Sequence, residues 1–215
     1  IPTFPDPALG IMGSFAATER IAVQAGVFDG CGCGGSWGFS TAFGSDPTSV
    51  AVGELHLRLG LPGAGRAKVG VWRKGGKSFS LDGTTTRPYN YGGYVILEED
   101  LVGSVDRVDE PGLSMFVQYG AAPEKYNAVR EYVGIGLRAA SFFPVRPEDS
   151  FGAGMARAVF GGDLPGMRDE TAYELYYLAP IRDVFAVQPD VQYIVSPGGT
   201  GKDALVAGVR VYVTF

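Results

Sequence analysis

His56 is the only histidine among 215 residues, so any Ser-His-Asp or Cys-His device in this chain would have to run through it. In an extended segment Glu54 and Arg58 lie on the same side as His56. That setting suits a polar wall better than the activation of a nucleophile. Cys31 and Cys33, within Asp29-Gly30-Cys31-Gly32-Cys33-Gly34-Gly35, are the types that ligate metals or exchange electrons. Two thiolates make only half a zinc site, and no further His or Cys lies nearby; a loop disulfide and a pair of free thiols stay open as readings. The run from Ser196 to Asp203 is glycine-rich like a phosphate loop, but it lacks the Gly-x-x-x-x-Gly-Lys-Ser/Thr spacing and a following helix. Glu98 and Glu99 are adjacent, so a strand aims them at opposite faces and they cannot work as an acid and base pair. These residues assign no catalytic group, no metal and no cofactor, and the chain is expected not to be an enzyme.

The elements that would position such residues are strands. Charged residues make up 19% of the chain and glycines number 33, a mixture that favours strands and turns over helices. The net charge of −5 opposes nucleic-acid binding, which needs a basic face. No stretch approaches the ~18 uninterrupted apolar residues of a membrane-spanning helix. A transmembrane barrel passes that test, because its strands alternate lipid-facing and lumen-facing residues. The opening Ile1-Pro2-Thr3 does not begin a signal peptide, so the chain reads as processed or as a fragment.

Alternation with period two predicts about eleven strands, at 9–18, 21–28, 50–59, 67–74, 92–102, 112–121, 129–140, 150–159, 170–179, 185–195 and 204–215, with sequence neighbours antiparallel. The connections fall into two alternating groups. One is mostly short: 17–21, 61–65, 144–149 and 180–183, with 103–111 its longest member. The other holds long loops at 29–49, 75–91 and 160–169, with shorter ones at 122–128 and 196–203. Short turns on one side and long loops on the other are what an outer-membrane barrel has. In the last strand every odd position from Leu205 to Phe215 is apolar, which suits lipid, with Phe215 in an interfacial aromatic girdle. Arg210, Tyr212 and Thr214 then face a lumen. If Phe215 is periplasmic, the chain begins at an outer loop, and eleven strands cannot be a whole barrel, since such barrels have even strand numbers. N-terminal strands are therefore expected to be missing from this chain.

Parity assigns to the lumen Glu54, His56 and Arg58, then Lys68, Gly70, Trp72 and Lys74. Later strands add Gln118, Tyr132, Arg138, Glu174, Tyr176, Gln188, Asp190, Gln192, Arg210 and Tyr212. Strand 150–159 does not sort into two faces. A sugar offers hydroxyls that donate and accept hydrogen bonds together with apolar ring faces, so a selective constriction needs carboxylates, guanidiniums and aromatic platforms together. The candidate pore-lining residues are Glu54, His56, Arg58, Lys68, Trp72, Arg138, Glu174, Tyr176, Asp190, Gln192, Arg210 and Tyr212. The plainer reading is that any water-filled barrel carries polar inward residues whose charges neutralise one another.

Several segments carry a family resemblance. They are Ile21 to Asp29, Gly70-Val71-Trp72, the block from Glu174-Leu175-Tyr176-Tyr177 through Gln188-Pro189-Asp190-Val191-Gln192-Tyr193-Ile194, and the closing strand with Arg210 and Phe215. In these the chain resembles the C-terminal half of the carbohydrate-selective porins of the OprB type. It departs from the family pattern at Glu98-Glu99-Asp100, where an amide is common, and in the Cys-x-Cys loop. The resemblance implies a barrel of about sixteen strands passing mono- and oligosaccharides across the bacterial outer membrane, with about five strands lying outside this chain.

The fold expected is thus all-β, a transmembrane antiparallel up-and-down barrel of which 1–215 is the C-terminal part. Its expected partners are small sugars as transported solute, outer-membrane lipid and the missing strands; monomer and homotrimer both stay open. Two readings compete with it: a barrel-wall hydrolase acting through His56, and a soluble all-β carbohydrate-binding module.

Overall fold

In the computed structural model the described residues are 9–30, 48–59, 65–107, 110–162, 164, 166–182 and 184–213. Cys31 and Cys33, most of the 29–49 loop, residues 60–64, Thr214 and Phe215 lie outside them. One sheet of eleven strands accounts for nearly all of this. The strands are β1 Gly10–Ala16, β2 Ile21–Asp29, β3 Ser49–Arg58, β4 Arg66–Phe79, β5 Thr86–Val102, β6 Gly112–Ala121, β7 Val129–Ala140, β8 Ser150–Phe160, β9 Glu170–Arg182, β10 Phe185–Val195 and β11 Ala204–Val213. Each pairs antiparallel with its sequence neighbour in an uninterrupted meander, and among the described residues β1 and β11 pair on one side only. The strands expected from alternation are all present.

Register keeps one parity along the ladders except at shifts near strand ends in the β4–β5, β5–β6, β7–β8 and β9–β10 pairs. Gln24, Glu54, Gly70, Tyr94, Gly120 and Tyr132 stand opposite one another in succession from β2 to β7, and cross-strand partners share a face. Even-numbered residues therefore form one side of the sheet and odd-numbered residues the other. The odd side reads Val23, Leu55, Val69, Val95, Tyr119, Val133 along a neighbouring row. It is not covered: Val71, Leu175, Val209, Val211 and Val213 are all exposed, with Val209 at 67%. The only buried apolar side chains among the described residues are Ala67, Ala139 and Ala140, far too little for the packed second layer that a soluble sandwich requires.

Aromatic side chains mark both ends of the odd side. Tyr89, Tyr91, Tyr119, Tyr173 and Tyr193 lie toward one end, and Phe15, Phe151 and Tyr177 toward the other, where Phe142 packs edge-on against Phe151. An apolar band between two aromatic girdles is the outer surface of a transmembrane barrel.

Two sequence expectations need correction. The long loop expected at 75–91 is instead the tip of a hairpin, since β4 runs on to Phe79 and β5 starts at Thr86. The extension breaks parity at a register shift between Gly75 and Ser78 and carries polar residues on both faces, so it shows no alternation. At 17 residues, β5 exceeds the ~9–11 that cross a bilayer, and the hairpin stands beyond the apolar band. Strand 150–159, which alternation does not sort, has Ser150, Gly152, Gly154, Ala156 and Ala158 on the even side and Phe151, Ala153, Met155, Arg157 and Val159 on the odd. Its inward residues are small rather than polar, which hides the period from hydropathy.

The hairpin tip is closed by Asp82. Its carboxylate accepts hydrogen bonds from Ser80 Oγ (2.5 Å), Thr84 N (3.0 Å) and Thr84 Oγ1 (2.8 Å), and these hold its pKa down to about 2. A carboxyl with a lowered folded pKa stabilises the folded turn above its unfolded value near ~3.9, and that stabilisation disappears as pH falls toward about 2. Protection of the Thr84 and Thr85 amides, taken relative to their intrinsic exchange rates, is expected to fall between about pH 4 and pH 2, and in Asp82→Asn to be low and constant across that interval; an unchanged parent protection would show the turn does not depend on this carboxylate.

Candidate functional site

Every candidate pore-lining residue stands on the even side, in register with other even residues across its ladder. They do not form one cluster. Toward the end of the sheet that carries the turns 103–111 and 141–149, a hollow of about 490 Å³ is walled by residues of every strand from β4 to β11. A single hollow shared by all these strands requires the sheet to curl around it with the even side inward.

Within that hollow charges of both signs face one another. Arg210 Nη2 lies 3.7 Å from Glu174 Oε1, and its Nε lies 3.8 Å from Asp190 Oδ2. Register explains the contact, because Glu174 is opposite Gln192 and Asp190 is opposite both Tyr176 and Gly208, two residues from Arg210. Gly208 leaves room for the Asp190 carboxylate, which is almost wholly buried. Tyr212 donates to Gln188 Oε1 at 3.0 Å, next to Arg210 in the adjacent row. Arg138 projects from β7 into the same hollow and reaches Asp106 at 3.9 Å. On the opposite wall Arg66 Nε sits 3.3 Å from Glu98 Oε2.

The remaining candidates stand apart. Glu54 accepts a hydrogen bond from Tyr94 Oη at 2.6 Å and contacts the His56 imidazole through its other oxygen. His56 faces Ala22 and Lys68 across its ladders, so no hydroxyl or thiol of the neighbouring strands shares its row. Trp72 lies over Gly92, and Tyr94 over Gly70, where a Cβ would overlap each ring. Trp72, Tyr94 and Tyr132 thus line a second hollow of about 420 Å³ with Gln118 and Asn127. Arg58 and Lys68 stand on the even side as predicted, opposite Arg66 and His56.

Sequence reasoning singles out neither Tyr94 nor Arg66, and it weighs Glu98 as a rejected catalytic group and as part of a departure from the family pattern, not as a lumenal residue. Tyr94 has the correct parity in a predicted strand and could have been found. Arg66 sits one residue outside the predicted start of its strand. The aromatic packing over glycines depends on cross-strand register; so Gly152, whose Cβ would overlap Tyr176, and Gly136, whose Cβ would overlap Phe116, give no local signal.

The glycine-rich run 196–203 is a turn. Ser196, Gly198, Gly199 and Gly201 all have positive φ, a conformation in which glycine alone is unstrained. The amide of Gly198 is taken by Glu170 Oε2 at 2.5 Å, so the chain's own carboxylate occupies the place an anion would use.

The two faces and the paired charges can be compared with known proteins. A solved structure of OprB from Pseudomonas putida at high pH superposes on 96% of this chain with a TM-score of 0.80 at 22% identity, and its low-pH form does so with a TM-score of 0.66. The chain covers 58% and 55% of those two chains. Porin B of Pseudomonas aeruginosa is 29% identical over 147 residues, which are 57% of this chain and 32% of that protein. The family model described as carbohydrate-selective porin, OprB family, matches residues 1–215. A meander of strands with an apolar outer side and a charge-paired inner side, matched by this model along its whole length, belongs to the carbohydrate-selective porins of the OprB family.

Proposed function

We propose that the chain forms the C-terminal part of an outer-membrane porin wall, through which small sugars diffuse passively in a Gram-negative bacterium. The strands that pair with the free edges of β1 and β11 come from the rest of the porin, in a barrel of about sixteen strands. The observation that carries the reading is the division of one continuous sheet into an exposed apolar odd side and an even side whose charges meet in opposite-sign pairs. Paired charges weaken each other's field at a distance, so they hold a neutral hydroxylated solute briefly without trapping ions. The pore-lining residues are those placed on the even side, with Arg210, Glu174 and Tyr176 at one hollow and Trp72 at the other. No covalent step is assigned to them.

Swelling of liposomes containing the full-length porin tests this. Glucose is expected to enter faster than gluconate of similar size, with entry slowing for longer oligosaccharides; equal entry of glucose and gluconate would remove the sugar preference and leave a general pore.

A further inference from the structure

On the odd side, the apolar band ends on β4 and β5 in a cationic and aromatic cluster. Approaching the 80–85 turn, β4 presents Val69, Val71 and then Arg73, while β5 presents Val95, Gly93, Tyr91 and Tyr89. Arg73 stands opposite Tyr91, and its guanidinium lies 4.8 Å from the centroid of the Tyr89 ring. Arg87 is 5.8 Å from that same ring, 5.0 Å from Tyr91 and 3.9 Å from Tyr126. Both cations thus flank one tyrosine, fixed by stacking of a kind that positions guanidiniums well.

Their charge is not answered within the chain. Of the rim carboxylates, Asp82 is engaged by Ser80 and Thr84, and Glu124 and Glu131 pair with Arg130. Among the described residues neither Arg73 nor Arg87 forms an ion pair. Arg87 Nη2 donates to the neutral Asn90 Oδ1, while Arg87 Nε is buried with no hydrogen-bond partner among them. Two oriented guanidiniums at the edge of a hydrocarbon-facing surface need an anion that itself sits at that edge.

We propose that Arg73, Arg87, Tyr89 and Tyr91 bind the phosphorylated sugar headgroup of an outer-leaflet glycolipid, whose acyl chains lie along Val69, Val71 and Val95. Guanidinium forks match phosphate oxygens in bidentate fashion, and tyrosine faces accept the apolar side of a sugar ring. Arg73, Tyr89 and Tyr91 stand on the odd side, away from the lumen, and Arg87 joins them at the rim past the register shift. The assignment to the outer leaflet rests on the proposed porin reading together with the orientation expected from the sequence, in which Phe215 is periplasmic and the hairpin tip therefore lies outside the cell.

Native mass spectrometry and thermal melting of the full-length porin in detergent provide the test, with bis-phosphorylated lipid A as the probe. The parent is expected to retain lipid A about tenfold more tightly than the Arg73→Gln/Arg87→Gln double variant, and to lose that advantage in about 0.5 M salt, where charges are strongly screened. Arg20→Gln, at the opposite rim, is expected to bind like the parent. Retention by the double variant equal to that of the parent overturns the site, and equal retention of dephosphorylated lipid A overturns the phosphate contact. Equal response to phosphatidylglycerol or to inorganic phosphate overturns the glycolipid assignment. Glucose swelling by the double variant is expected to match the parent, so a failure of the pore reading shows in the swelling assay, independently of lipid retention.

Discussion

Val95→Arg is expected to destabilise the intact porin in bilayers by about 2–4 kcal/mol, as an arginine placed near the midplane on the lipid side of a barrel does. Val95 is on the odd side of β5, opposite Val69 and Tyr119, and lies between Tyr91 in one girdle and the even-side charges Glu98 and Asp100 further along the strand. Gln118→Arg, on β6 in the neighbouring row but on the even side, is expected to cost less than about 1 kcal/mol, because its head remains in lumenal water. Depth supplies the second comparison. Tyr91→Arg, at the aromatic girdle, is expected to cost only about 0–1 kcal/mol. Were the odd side buried against another protein layer, replacing a large tyrosine there would cost at least as much as replacing valine. Reversible unfolding in urea with the protein in lipid vesicles gives all three numbers. A Gln118→Arg cost equal to that of Val95→Arg would invalidate the assignment of the two faces.

That assignment was largely legible in the sequence, and the reasons differ strand by strand. In β11 the odd positions from Leu205 to Val213 are all apolar while Arg210 and Tyr212 alternate with them, so the face and the strand are read together. In β8 the inward positions are Gly and Ala, and the period vanishes although the geometry is the same. The β4–β5 extension reads as a loop in the sequence because residues outside the apolar band are wetted on both faces and need no alternation. The ion pairs were not legible at all. That Arg210 meets Glu174 and Asp190 follows from the pairing of β10 with both β9 and β11, and a shift of two residues in register would have preserved every face while exchanging every partner. Sequence parity therefore found the lumenal candidates as a set, and only the register sorted them into a charged hollow, an aromatic hollow and the Glu54, His56 and Tyr94 contact.

The charged hollow leads to the second large expected effect. Arg210 faces Glu174 at 3.7 Å and Asp190 at 3.8 Å, so Arg210→Gln leaves two carboxylates on the wall without their cation. A unit charge acts on an ion about 4 Å away with about 1 kcal/mol in a water-like medium, which is about a fivefold change in relative permeability. Reversal potentials in a KCl gradient are therefore expected to move toward cation preference by about that factor in Arg210→Gln, and toward anion preference in Glu174→Gln. The double variant Arg210→Gln/Glu174→Gln, which removes one charge of each sign, is expected to lie close to the parent. Arg210→Lys separates charge from shape. It keeps the cation but not the planar fork that spans two carboxylates, so ion preference should stay near the parent. If Arg210→Gln folds and inserts yet leaves the reversal potential unchanged, the Arg210 row does not meet the permeating stream, and the constriction lies elsewhere in the wall.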